Sequence, residues 1–287
     1  MATPLQACLT GAYTTIKSRH PGEGRRRWKL GVAAEFWSLS PDQKHQLLMN
    51  APASPDTTNA EWATDADPFD EMSNSRSELG LVVRTDFSDE VAWSAFVEKL
   101  QQAEKDFAAS ADEPEQGMAE DSPEGNAPDP HADAEDSSDE ESDDGPIFHI
   151  INPLEPEMQA LFTNLSNLTA LRLFTDIDIR RAPALPAGIK RALPNRLVDR
   201  DGWQEIYTGK NIWIYDSKSN TDQCVRLVSH TGDMYGTATG DSWRARVSHI
   251  CELQANLFTG AMKIDFGGLD RWDYSERQRN MREAEGN

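Results

Sequence analysis

LGLVVRTDFSDEVAWSAFVEKL, residues Leu79 to Leu100, spells a strand, a turn and the start of a helix. Leu79 to Val83 is an apolar run of the length a buried strand needs. Arg84 to Ser88 turns the chain. Ser88, Asp89 and Glu90 then place capping oxygens and negative charge where a helix begins. Trp93, Phe96, Val97, Leu100 and Phe107 come at offsets 0, 3, 4, 7 and 14, one face of a helix that ends near Ala109.

Downstream of this unit the chemistry changes. Residues 106–171 contain no Lys or Arg, and Asp112 to Asp144 holds fifteen Asp and Glu, fifteen of the net −21, leaving −6 for the rest of the chain. Such a segment cannot bury enough apolar surface to fold and reads as a disordered acidic insert over 110–145. Ser137, Ser138 and Ser142 precede acidic residues there, the setting acidophilic kinases prefer, and are the candidate phosphorylation sites. The insert repels nucleic acid phosphates and anionic lipid, so direct nucleic acid or membrane binding is not expected and basic proteins are the expected partners.

Beyond the insert, Ile147–Ile151 reads as a strand, Pro156–Leu165 as a helix and Ala170–Ile179 as another strand. Residues 180–200 read as a loop. Asn211–Asp216 alternates as a strand and pairs as a hairpin with Cys224–Ser229. Val247, Ile250, Leu253, Leu257 and Phe258 lie near one face of a last helix capped by Gly260, and Met262–Phe266 reads as an edge strand. A charged, helix-prone tail covers 271–287. No stretch is apolar for long enough to cross a membrane, and no secretion signal is evident. Cytoplasm, nucleus or both is the expected location.

Upstream, residues 1–50 read as a helical hairpin. Trp28, Val32, Phe36 and Trp37 share a face, and Ser40-Pro41-Asp42-Gln43 carries a capping box for the next helix. Residues 51–77 are rich in Pro, Ser, Asp and Asn and read as a linker, which Trp62 and Phe69 pin to a surface. Whether the hairpin docks on the main domain or on a partner is left open. The expected fold class is α/β, with α+β as the other option: one mixed sheet flanked by helices.

The motifs of the best-known nucleotide, zinc and serine-hydrolase sites (GxGxxG, the P-loop lysine, HExxH, GxSxG) do not occur. No cofactor is expected. Cys8, Cys224 and Cys251 are too sparse for a disulfide framework or a zinc site. Asp86, Asp176 and Asp216 stand at predicted strand ends, where ligands collect in α/β sheets, and are candidate Mg²⁺ ligands. Asp is equally a favoured turn and cap residue there. The Arg25-Arg26-Arg27-Trp28-Lys29 cluster reads as a solvated helix end, with intramolecular contact to the acidic insert or a nuclear import signal as the other options.

Residues 79–100 resemble the opening of the DUF6924 domain family of bacteria and fungi, in the apolar strand, the Arg-Thr-Asp-Phe-Ser turn and the Trp-containing helix. Leu253–Leu269 is similar to the family's closing stretch. The resemblance implies one domain over about 78–270. It supplies no mechanism, because the family has no assigned activity. The leading expectation is a non-catalytic adaptor that works through its acidic loop; the alternative is a metal-dependent hydrolase built on the strand-end carboxylates.

Overall fold

The computed structural model describes residues 4–49, 60–73, 79–111, 146–184, 194–266 and 273–286. Three helices come first: α1 (Pro4–Arg19), α2 (Arg25–Ser38) and α3 (Pro41–Met49). The capping box forms as expected. Gln43 N–H donates to Ser40 Oγ at 3.3 Å, and Ser40 N–H donates to Gln43 Oε1 at 2.9 Å.

Two single-turn helices, α4 (Glu61–Thr64) and α5 (Asp70–Ser73), lie within the expected linker. Trp62 meets Tyr13 edge-on at 6.2 Å and Phe69 meets Phe174 at 6.0 Å, so these two aromatics do pin the segment. Residues 60–73 are more than a spacer, however. Buried Asp67 accepts from the N–H and guanidinium of Arg26 at 2.8 and 2.7 Å. The flanking residues 50–59 and 74–78 lie outside the described residues.

The strand–turn–helix unit is β1 (Gly80–Arg84) followed by α6 (Glu90–Ala111), with Asp89 Oδ1 accepting from Ala92 N–H at 2.9 Å as the cap. Since α6 continues through Ala111, the acidic stretch begins one to two residues later than read. Residues 112–145, with Ser137, Ser138 and Ser142, lie outside the described residues.

The chain returns as β2 (Phe148–Ile151), then α7 (Pro156–Phe162) and α8 (Asn167–Phe174). The strand read over Ala170–Ile179 is a correction: its first half is helix α8, and only Asp176–Arg181 is strand, β3. Ser166 caps α8 by accepting from Thr169 N–H at 3.0 Å, and Leu168, Leu171 and Phe174 then share one buried face. A short apolar run fits either period, and this cap decides it.

The remaining elements are β4 (Trp203–Thr208), β5 (Asn211–Tyr215), the single turn α9 (Ser219–Asp222), β6 (Cys224–Val228), β7 (Ser242–Arg246), a 3₁₀ turn at Val247–His249, α10 (Ile250–Thr259) and α11 (Tyr274–Glu285). Five strands form a mixed sheet in the order β2-β1-β5-β6-β7, with β1 parallel to both neighbours and β5-β6-β7 antiparallel. The expected β5–β6 hairpin is present. A second, two-stranded sheet pairs β3 with β4 antiparallel.

The sheet divides two cores. Leu81, Val83, Ile212 and Ile214 face α1–α3, α8 and the small sheet, while Val82, Trp213, Tyr215 and Val225 face α6 and α10. Strands covered on both sides bury both faces, which is why β5 is buried from Ile212 to Tyr215 rather than on alternate residues. The Met262–Phe266 strand does not form. Gly260 caps α10 at φ 75° and Met262 N–H returns to Asn256 O at 3.1 Å, holding the chain at the helix end. Phe258 points out, 66% exposed.

The N-terminal helices belong to this body. Phe36 packs edge-on against Trp203 at 5.9 Å, and α1 and α2 share one continuous core with β1, β5 and α8. So does the C-terminal helix α11, through Ala284.

Candidate functional site

From β1 the chain leaves through α6 to β2 on one side, and its other neighbour is β5. The sheet thus reverses its winding direction at β1, and the carboxyl ends of β2, β1 and β5 open together, the place where α/β sheets hold ligands. Arg84 closes the end of β1, 2% exposed, its guanidinium stacked between Phe87 (4.9 Å) and Trp93 (4.8 Å) and donating to Glu90 at 2.7 Å and to Asn152 at 3.3 Å. Thr85 donates through both N–H and Oγ1 to Tyr215 O, at 2.8 and 2.9 Å, so β1 and β5 are tied where they end.

Two of the three candidate metal ligands stand here. Asp86 Oδ1 accepts from Ser88 N–H, Ser88 Oγ and Asn220 Nδ2 at 3.0, 2.5 and 2.9 Å, and Asn220 Oδ1 accepts from Tyr215 Oη at 2.7 Å. Burial opposes its charge, and these donors win, holding the Asp86 carboxyl below its ordinary value. Asp216 follows β5 and is engaged from the far side: Arg226 Nε lies 3.1 Å and Arg244 Nη1 2.9 Å from its Oδ2. Burial again opposes ionisation, and the two guanidiniums overcome it. Arg226 also reaches Glu276 at 3.5 Å, and Arg244 reaches Asp222 at 3.2 Å.

Asp176 is elsewhere. It starts β3 in the small sheet and pairs with Lys29 at 3.1 Å and Arg25 at 3.8 Å. The three carboxylates therefore do not converge, and no group of three or more His, Cys, Asp or Glu among the described residues is placed to share a metal ion. What Asp86 and Asp216 do is structural chemistry: the one fixes a turn, the other neutralises two arginines that the antiparallel strands bring inward.

The chain matches no family model, no curated protein and no solved structure. The site must be read from its own residues.

The two buried cysteines, Cys8 and Cys251, are poor nucleophiles. Burial, helped by the nearby carboxylate of Glu35, pushes the Cys8 thiol up to about 11; burial with Glu104 pushes Cys251 up to about 12. Burial lowers His230 to about 4 and keeps its ring neutral near pH 7. The RRRWK cluster is not a solvated helix end. Arg25 binds Asp70 through two bonds at 3.0 Å, Arg26 binds Asp67 and Lys29 binds Asp176, leaving Arg27 exposed.

Sequence reasoning missed two charged clusters. Glu205, inside the strand β4, lies 3.7 Å from Arg172 and 3.4 Å from Arg196 and accepts from Tyr207 Oη at 2.7 Å. The signal was an acid set between the aromatic and aliphatic residues Trp203, Ile206 and Tyr207 of a strand. The second is the amino end of α8, whose N–H groups are met from α11: Asn167 N–H by Glu276 at 2.7 Å and Leu168 N–H by Asn280 at 3.2 Å. Nothing local in the sequence announces that pairing. A separate groove of about 670 Å³ runs between the second half of α6 and the start of α10, floored by Phe107, Val247 and Cys251 and edged by Lys99 and Arg246.

Proposed function

We propose that this protein is a non-catalytic interaction module, cytoplasmic or nuclear, that captures basic partners with the acidic segment inserted between α6 and β2. One observation carries the reading: fifteen acids and no Lys or Arg in Asp112–Asp144, attached to a body whose buried cations already face acids of their own fold. The segment therefore offers a run of negative charge with no cation of its own. The groove beside α6 lies on the helix from which the segment departs, and adds apolar contact area next to the charge. Phosphorylation of Ser137, Ser138 or Ser142 would add roughly −1.5 to −2 each and strengthen capture.

The paired states of Asp86 and Asp216 and the distant place of Asp176 give the hydrolase alternative no supporting geometry.

The test compares the full chain with a variant in which residues 112–144 are replaced by a short Gly-Ser linker, using oligolysine as the basic probe. Binding that weakens with salt in the full chain, and is lost in the variant at an unchanged thermal midpoint, is the expected result. Equal oligolysine affinity in both proteins would reject the proposal.

A further inference from the structure

Between the α1–α2 turn and α8 lies a second cavity, of about 480 Å³, within the roughly 300–1,000 Å³ range of small-molecule sites. Ile16, Leu30 and Leu173 make its apolar wall. Gly31 lines it too, and its lack of a side chain lets α1 and α2 approach, since a Cβ there would sit 2.9 Å from Ile16 Cγ2. The charged lining has three arginines, Arg19 and Arg27 from the α1–α2 side and Arg172 from α8, against two acids, Glu23 and Glu35. Glu35 has Arg19 at 4.0 Å, and Glu23 has the His20 ring at 3.4 Å. Arg27 has no ion pair or hydrogen bond among the described residues.

Beneath the cavity Arg172 joins a charged network. Arg172 is 14% exposed, its Nε donating to Tyr207 Oη at 3.3 Å, and it shares the 1%-exposed Glu205 with the buried Arg196. Nε and Nη2 of Arg196 have no hydrogen-bond partner among the described residues. The half-buried Arg172 and the buried Arg196 thus share Glu205. Glu283 adds a second carboxylate acting on Arg172, and it is shared with Arg279 at 3.1 Å. Arg172 is the member of the Arg172–Glu205–Arg196 trio that lines the cavity.

The geometry points to a binding site for a small organic oxyanion, a phosphomonoester or carboxylate on an apolar body, held by Arg172 and Arg27. The head group meets the guanidiniums, whose forked donors suit oxyanions, and the body lies against Leu30 and Leu173. None of the lining residues named here belongs to the acidic segment, and neither proposal falls with the other.

Titration calorimetry on the full chain with phenyl phosphate, benzoate and benzyl alcohol tests it. One saturable site for at least one anion and none for the alcohol is expected, the stronger of the two anions naming the head group. Arg172→Gln risks unfolding the protein by disturbing Glu205, so two surface variants carry the test. Arg27→Gln should weaken binding about tenfold, the weight of a charge-assisted hydrogen bond. Ala34→Trp should abolish it by filling the cavity without changing charge, and Arg246→Gln, in the other groove, should bind as wild type. Failure of both anions to saturate at millimolar concentration, equal binding of benzyl alcohol, or wild-type affinity in both Arg27→Gln and Ala34→Trp would overturn the assignment.

Discussion

At the scale of single residues, this protein uses carboxylates to settle arginines. Asp216 is the clearest case, with Arg226 and Arg244 both within 3.1 Å. Asp216→Asn would leave two largely buried guanidiniums short of an anion and should cost about 3–5 kcal/mol, read by urea unfolding. Its carboxyl sits below the ordinary value in the fold. Its contribution is therefore complete above the unfolded value and fades as pH falls through the folded one, a slope the Asn variant should lack. Thiol chemistry gives a second expectation. Cys224, the half-buried one, should react first with a disulfide reagent at pH 8, while Cys8 and Cys251 wait for unfolding. From sequence, Asp216 was legible as a strand-end acid, yet its purpose was not. The arginines that claim it come from β6 and β7, and pairing between strands distant in sequence leaves no local mark.

At the scale of elements, what the sequence showed best was what local chemistry decides. The capping box at Ser40 and the unit from β1 into α6 formed as their caps and apolar spacing imply. The α8 segment misled because its leucines fit a strand as well as a helix until Ser166 is recognised as a cap. Ser166→Ala should cost about 1 kcal/mol in chemical unfolding. The partner of that cap is α11, a helix with few apolar residues that reads as a tail and is in fact an end-piece for α8. Asp273 starts it, accepting from Glu276 N–H at 3.1 Å. Burial opposes the Asp273 charge, but bonds from Ser275 and Glu276 and the nearby Lys218 lower its carboxyl to about 2 from an ordinary 3.8. The docking of α11 should hold above about pH 4 and weaken as pH falls toward 2. Amide exchange at Asn167 and Leu168 would report it, and Asp273→Asn should flatten the trend.

At the scale of the molecule, a chain that reads as hairpin, linker, domain and tail closes into one body around a shared sheet. Composition could separate the acidic segment from the rest, because charge is countable. It could not say that Phe36 meets Trp203 or that Lys44 pairs with Asp201 at 3.0 Å, since such contacts depend on the finished topology. Removing residues 1–39 should therefore abolish cooperative thermal unfolding rather than trim an appendage, as near-ultraviolet circular dichroism would show. No helix of the described residues is long and apolar enough to cross a membrane.

The plug that α11 places in α8 joins groups 109 residues apart in the chain. On the ribosome, α8 emerges with its amide donors bare and keeps them so until Glu276 and Asn280 have cleared the exit tunnel. The first helices wait as well, because their aromatic partner on β4 is also made late. A nascent form with open seams must persist through most of translation, and it is at that moment, more than in the finished protein, that chaperones would find something to hold.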